Sequence, residues 1–202
     1  AHELNEAAKI DALRSRLEEA GLYAVTLNGF PFGRFHGTRV KEKVYQPDWA
    51  DPARFEYTLD LVAILTELLP RDSRASISTL PITFKPWADE ERVETATHHL
   101  LDVVGQANAV RALFGTEIVL ALEPEPGCYL ERTDDAIRYF HDQLLPTARE
   151  TMPEPIGEGR EDAVRRHIGV CLDTVHTGVM GEDPKEALRK YAAAGIRVPK
   201  VQ

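Results

Sequence analysis

The residues with the clearest chemical potential are an amide and two acids that close short apolar runs: Glu123 after "IVLAL", Asp173 after "IGVCL" and Gln202 after "VPKV". Glu123 is followed at once by Pro124, Glu125 and Pro126, so an apolar run ends in two carboxylates interleaved with two residues that lack amide hydrogens. Oxygen donors of this kind, gathered in one cavity, suit a hard or intermediate divalent cation such as Mg²⁺, Mn²⁺ or Zn²⁺. His176 lies three residues after Asp173 in "LDTVHTG" and is expected to reach the same cavity from a loop. Each residue alone has an ordinary alternative, because a strand-end acid commonly caps a helix or pairs with a cation. Two acids at equivalent positions of repeated units favour a shared site.

A basic stretch supplies the second chemical feature. "GRFHGTRVKEK" carries Arg34, His36, Arg39, Lys41 and Lys43 against the single acid Glu42, in a protein of net charge −9. Following a strand that ends at Asn28, this loop is expected to overhang the cavity and capture a phosphate or carboxylate. Arg34 or Arg39 would act as a bidentate clamp, with His36 near the reacting centre. The ordinary alternative is a solvated loop paired with acids on neighbouring helices. His98 and His99 are adjacent on a helical run and cannot face one site, and the sequence places no histidine beside Cys128 to activate its thiol.

Positioning these groups requires a scaffold, and the chain supplies a repeating one. Three times a helical segment stops at a glycine and a β-type run follows: at Gly21, Gly115 and Gly195. Further strands are expected at Ser76–Thr79 and Ile168–Asp173. Asp51 with Pro52, Asp89, Thr133, and Asp183 with Pro184 signal helix starts. Thr151–Gly159 reads as an exposed excursion. Short apolar strands alternating with longer amphipathic helices indicate a parallel sheet covered by helices. No glycine-rich phosphate turn follows the first strand, which disfavours an open nucleotide-binding sheet. Polar residues at the C-terminal ends of successive strands favour a (β/α)₈ TIM barrel, whose chemistry gathers at that rim. Glu123 is then expected to point into the barrel mouth, with the prolines ending sheet pairing behind it.

Composition bounds the rest. A length of 202 residues at 43% hydrophobic content reads as a single domain, 1–202. Apolar runs are too short for a membrane span, and the first residues lack a secretory pattern, so a cytoplasmic location is expected. Two cysteines form no disulfide framework. The negative charge excludes nucleic acid as a default partner. The first residues fall within a helical pattern and the last within a strand, so both ends read as cut.

The segments "VTLNGFPFGRFHGTRVKEKVYQPDW", "SISTLPITFKPW", "LALEPEPGCYLE", "GVCLDTVH" and "IRVPKVQ" resemble the Ebo-type metabolite traffic protein E family, a branch of the xylose isomerase-like TIM-barrel superfamily. The resemblance implies a barrel of that type, incomplete here, with about five parallel strands and outer helices, two strands lying before Ala1 and one after Gln202. It also implies a divalent metal (Mn, Mg or Zn) at the mouth and isomerase or epimerase chemistry on a sugar or small carbonyl compound in a secondary-metabolite pathway. Carried across, Glu123 and Asp173 match the first two metal acids and His176 a substrate-contacting histidine. Gln202 stands where a third ligand, a histidine, is expected, and Glu125 where xylose isomerases place a catalytic lysine. Asn28, Arg34, His36, Arg39, Glu125 and Lys200 are assigned to the substrate, a small polar or anionic metabolite; other proteins of the pathway are candidate partners. Two alternatives remain open: a non-catalytic metabolite-binding or trafficking barrel, and a metal-dependent phosphoesterase of the abasic-endonuclease type, which the net charge disfavours.

Overall fold

A computed structural model describes residue 1, residues 4–32 and residues 41–202, with the side chain of residue 41 left aside. Five strands, β1 (Thr26–Asn28), β2 (Arg74–Thr79), β3 (Glu117–Leu122), β4 (Ile168–Leu172) and β5 (Lys200–Val201), lie side by side in chain order. Each is parallel to the one before. The helices are α1 (Ala7–Glu19), α2 (Pro52–Leu68), α3 (Glu90–Phe114), α4 (Thr133–Tyr139), α5 (Leu145–Thr151), α6 (Arg160–His167), α7 (Thr174–Val179) and α8 (Pro184–Ala193). A π-helical turn, Phe140–Leu144, joins α4 to α5.

Side-chain alternation divides the sheet into two chemically different faces. Ile77, Ile118, Leu120, Leu122, Ile168, Val170 and Leu172 point outward and form the main core with helix residues such as Leu65, Leu100, Val104 and Val164. The opposite face carries Ser76, Ser78, Val119, Ala121, Gly169 and Cys171, all buried and mostly small or polar. That inner face is concave. Residues of β1 and β5, from opposite edges of the sheet, line one cavity of about 700 Å³. Lys200 Nζ on β5 reaches across the inner face to donate to Ser78 Oγ on β2 at 3.0 Å. Sequential parallel strands, outer helices and a curled inner face make an arc of a (β/α)₈ barrel.

The expected stop and start signals operate with three adjustments. Gly21, Gly115 and Gly195 all have positive φ (67°, 73° and 68°), the left-handed conformation a helix exit needs. Asp51, Asp89 and Asp183 accept hydrogen bonds from the backbone amides of Ala53, Arg92 and Lys185. Thr133 instead opens α4 as its first residue, and the Asp135 carboxylate folds back to accept from the amides of Glu131 and Arg132. The segment expected as a loop around His176 is a helix, α7, because Asp173 caps it. The final strand covers only Lys200–Val201 of the closing "IRVPKVQ" run; Pro199 has no amide hydrogen to contribute to a ladder. No helix among the described residues is long and apolar enough to cross a membrane.

At the N-terminal rim one carboxylate ties several strands. Glu117 lies within ion-pair distance of Arg74 (2.8 Å), Arg197 (2.9 Å) and Arg166 (3.3 Å). Close packing continues just above: a Cβ added to Gly169 would sit 2.6 Å from the Arg197 carbonyl oxygen and 2.7 Å from Pro199 Cδ. A side chain there must push the β5 lead-in off β4. Gly169→Ala is therefore expected to destabilise the protein by about 1–3 kcal/mol in urea denaturation; an unchanged midpoint would contradict the tight approach.

Candidate metal centre

Glu123 follows β3 directly, its backbone amide still donating to the Thr79 carbonyl at 3.0 Å, so strand alternation aims its side chain inward. The parallel register then sets Glu123 beside Cys171 and Cys171 beside Lys200, one inner layer across three strands. The Glu123 carboxyl is only 5% exposed. Its Oε1 accepts from Gln202 Nε2 at 2.7 Å, whereas its Oε2 is buried with no hydrogen-bond partner. Burial pushes this carboxyl from its ordinary 4.5 to about 7; Asp173 and Glu125 push in the same direction, opposed by His176 and Lys200.

Asp173 divides its carboxylate between two tasks. Its Oδ1 accepts the amides of Val175 (2.7 Å) and His176 (3.2 Å), capping α7. Its Oδ2 lies 3.8 Å from His176 Nε2. His176 Nδ1 in turn sits 3.1 Å from the Pro124 carbonyl oxygen. A carbonyl can only accept, so Nδ1 carries a proton, and Nε2, facing Asp173, is the ring atom open to a ligand bond. Glu123, Asp173 and His176 thus each offer one ligand atom, and the three atoms lie within 4.8 Å of one another. A carboxyl with a buried unpartnered oxygen, a second carboxylate and an imidazole gathered this closely are satisfied by a cation. The Pro124 carbonyl orients the imidazole as partners of metal-bound histidines commonly do. The residues present therefore fit a divalent ion.

The Glu-Pro-Glu-Pro loop is held rigidly enough to keep this geometry. Phe84 and Cys128 form an isolated antiparallel bridge, the Lys85 amide donates to the Gly127 carbonyl (2.9 Å), and the Tyr129 amide donates to the Thr83 carbonyl (2.8 Å). The exit loops of β2 and β3 are thereby joined.

Of the other residues singled out by sequence, Gln202 reaches the centre through its amide nitrogen and braces Glu123. Glu125 stands at the mouth, hydrogen-bonded to Tyr45, and burial raises its pKa. Asn28 Oδ1 accepts from the Phe30 amide (3.1 Å) and from Ser78 Oγ (3.4 Å). Lys200 donates to the same Ser78. Arg34, His36 and Arg39 lie outside the described residues. Sequence reasoning passed over Ser78, although the alternation of Ser76 and Ser78 is a readable sign of a polar inner face. It also passed over Tyr45, which stacks on Phe84 with ring centroids 5.0 Å apart; no local pattern signals that contact.

No protein-family model matches the chain, and no curated protein is similar to it at a significant level. Among solved structures it is similar to a D-tagatose 3-epimerase-like protein at 15% identity and a TM-score of 0.55, covering 98% of this chain and 61% of that one. It is also similar to an IolI protein, solved with a bound zinc atom, at 14% identity and a TM-score of 0.49, covering 96% and 56% of the two chains. The chain thus spans 61% and 56% of the lengths of these two proteins. The first likeness shows the fold, a (β/α)₈ barrel, of which five strands are present.

Glu123 generates a pH dependence of definite sign. Its folded pKa lies above its ordinary value, so metal-free protein loses stability as pH rises from 4.5 to about 7 and does not regain it above. Glu123→Gln removes that cost. In urea denaturation with chelator, the variant is expected to exceed the parent by up to about 3 kcal/mol at pH 8 and to match it near pH 4. Equal stabilities at pH 8 would mean that the buried charge carries no such cost.

Proposed function

We propose that the protein is a divalent-metal-dependent isomerase or epimerase acting on a sugar or another small hydroxy-carbonyl compound. The observation that carries this reading is the convergence of Glu123, Asp173 and His176 at the C-terminal strand ends, with Glu123 Oε2 buried and unpartnered. The fold shared with a D-tagatose 3-epimerase-like protein agrees with it.

Glu123, Asp173 and His176 would hold the ion, which when bound polarises neighbouring carbonyl and hydroxyl oxygens and so acidifies the carbon beside the carbonyl. With Glu123 engaged by the ion and by Gln202, the carboxylate placed to take the proton from that carbon and return it to the same or the adjacent one is Glu125, at the mouth and hydrogen-bonded to Tyr45. Gln202 holds the Glu123 carboxylate in place through Oε1. Asp173 fixes α7 and with it the imidazole of His176, while Glu125 and Tyr45 shape the mouth. The sequence resemblance extends the proposal to a role in an Ebo-type secondary-metabolite pathway.

A second reading is a barrel that binds a metabolite without converting it. The Gln202 amide supports it, because it already occupies Glu123 Oε1 where a third ligand would be expected.

Elemental analysis and exchange chemistry test both readings. Purified protein is expected to take up Mn²⁺ or Zn²⁺, and to incorporate deuterium from D₂O beside the carbonyl of a ketohexose, read by NMR. Asp173→Asn preserves a good helix cap yet removes the charged ligand, and is expected to lower metal affinity by roughly 10–100-fold with the fold intact. Protein that takes up none of Mn²⁺, Zn²⁺ or Mg²⁺ would remove the metal-dependent reading. Ligand binding with no deuterium incorporation would favour the second.

A further inference from the structure

We propose that Ile82 is a positioning residue whose strained turn holds the loop of Glu125, and Glu125 itself, against Tyr45 at the mouth of the metal centre. Only the proton-carrying role of Glu125 rests on the isomerase reading; the turn and its contacts stand apart from it. Ile82 has a φ of 75°, a left-handed conformation that a β-branched residue adopts only under strain. The Ile82 amide donates to the Leu80 carbonyl (3.0 Å), and the Thr83 amide to the Pro81 carbonyl (3.1 Å). Two three-residue turns thus follow one another just beyond β2, and the second, centred on Ile82 at positive φ, is the rare and strained kind.

A glycine would take this conformation at no steric cost, yet the chain places an isoleucine there. The Ile82 side chain is fully buried in the main core, and that burial offsets the strain. The backbone around it is pinned from the segment leaving β1. The Trp49 amide donates to the Ile82 carbonyl (3.1 Å), and the Trp49 indole to the Leu80 carbonyl (3.0 Å). Thr83 Oγ1 donates to the buried Asp48 carboxylate, which also accepts from Arg92 at 2.8 Å.

The direction the chain takes after this turn decides where the Glu-Pro-Glu-Pro loop sits. The Thr83 carbonyl accepts from the Tyr129 amide, Phe84 bridges to Cys128, and the Lys85 amide donates to the Gly127 carbonyl. The Phe84 ring also carries Tyr45, stacked within 8° of parallel, and Tyr45 hydrogen-bonds Glu125. Residues just after Ile82 therefore grip Glu125 through the backbone of its own loop and through Tyr45. Relaxation of Ile82 to negative φ would turn Thr83 and Phe84 away from both. Glu123 is set differently, because its amide bonds to Thr79 before the turn begins, so the turn governs Glu125 and leaves that metal donor to strand register.

Ile82→Ala and Ile82→Gly separate positioning from packing, because both delete the branched side chain and only glycine accepts positive φ freely. Packing alone ranks the alanine variant equal or better; the strained turn reverses that order. In metal-free protein followed by NMR, the Trp49 and Tyr129 amides are expected to exchange at least about tenfold faster in Ile82→Ala than in the parent, the Leu120 amide of β3 changing less. Ile82→Gly is expected to regain most of the protection. With Mn²⁺ bound, Ile82→Ala is expected to lower the saturating rate of deuterium incorporation into D-fructose at least about tenfold, with KM and Mn²⁺ affinity within about twofold of the parent. Ile82→Gly is expected to recover most of that rate. Parent-like amide exchange or a parent-like incorporation rate in Ile82→Ala, or an Ile82→Gly variant no better folded or protected than Ile82→Ala, would overturn the assignment. A parent that incorporates no deuterium strikes the isomerase reading alone, since amide exchange is read without substrate or metal.

Discussion

A carboxylate buried at the inner end of β3, with one oxygen lacking any partner, is the constraint around which the rest of the site is arranged. Glu123 cannot return to water, because strand register aims it inward and the inner wall closes over it. Its remaining options are a proton or a cation. Gln202 satisfies one oxygen, and His176 and Lys200 moderate the charge from a greater distance. Asp173 and Glu125 add negative charge where burial already disfavours it. An arrangement that concentrates acids in a desolvated corner costs stability unless something positive occupies it.

The opposite rim shows how the same fold handles a buried acid that is surrounded by cations. Glu117, 7% exposed, is as buried as Glu123, and burial would raise its pKa too. Arg197, Arg74 and Arg166 outweigh that effect and hold it below the ordinary value. One strand, β3, therefore carries a compensated carboxylate at its start and an uncompensated one just past its end. The first ties neighbouring strands together, while the second keeps one oxygen without a hydrogen-bond partner. This polarity along a single strand matches the division of a TIM barrel into a stabilising and a functional face.

Much of this was legible in the sequence because it depends on local signals. Glycine exits, aspartate caps and polar residues closing apolar runs each have a short-range cause, and from them the parallel sheet and the positions of Glu123 and Asp173 follow. What escaped was either a matter of side-chain atoms or of distance along the chain. Asp173 was weighed as either cap or ligand, yet its two oxygens allow it to serve α7 and face His176 together. Gln202 could be placed beside Glu123 by strand order, but which end of its amide faces the carboxylate is decided only by the contact itself. The Lys200–Ser78 bond joins residues 122 positions apart and depends on how far the sheet curls, which no periodicity encodes.

The way Asp173 and Glu123 spend their oxygens limits denticity. Two backbone amides hold Asp173 Oδ1, an amide side chain holds Glu123 Oε1, and a carbonyl holds His176 Nδ1. Each side chain thus has one atom engaged within the protein and another left over, which favours single-point contact with an ion over chelation. An ion held by three single-point donors would keep room for two adjacent oxygens of a small organic molecule.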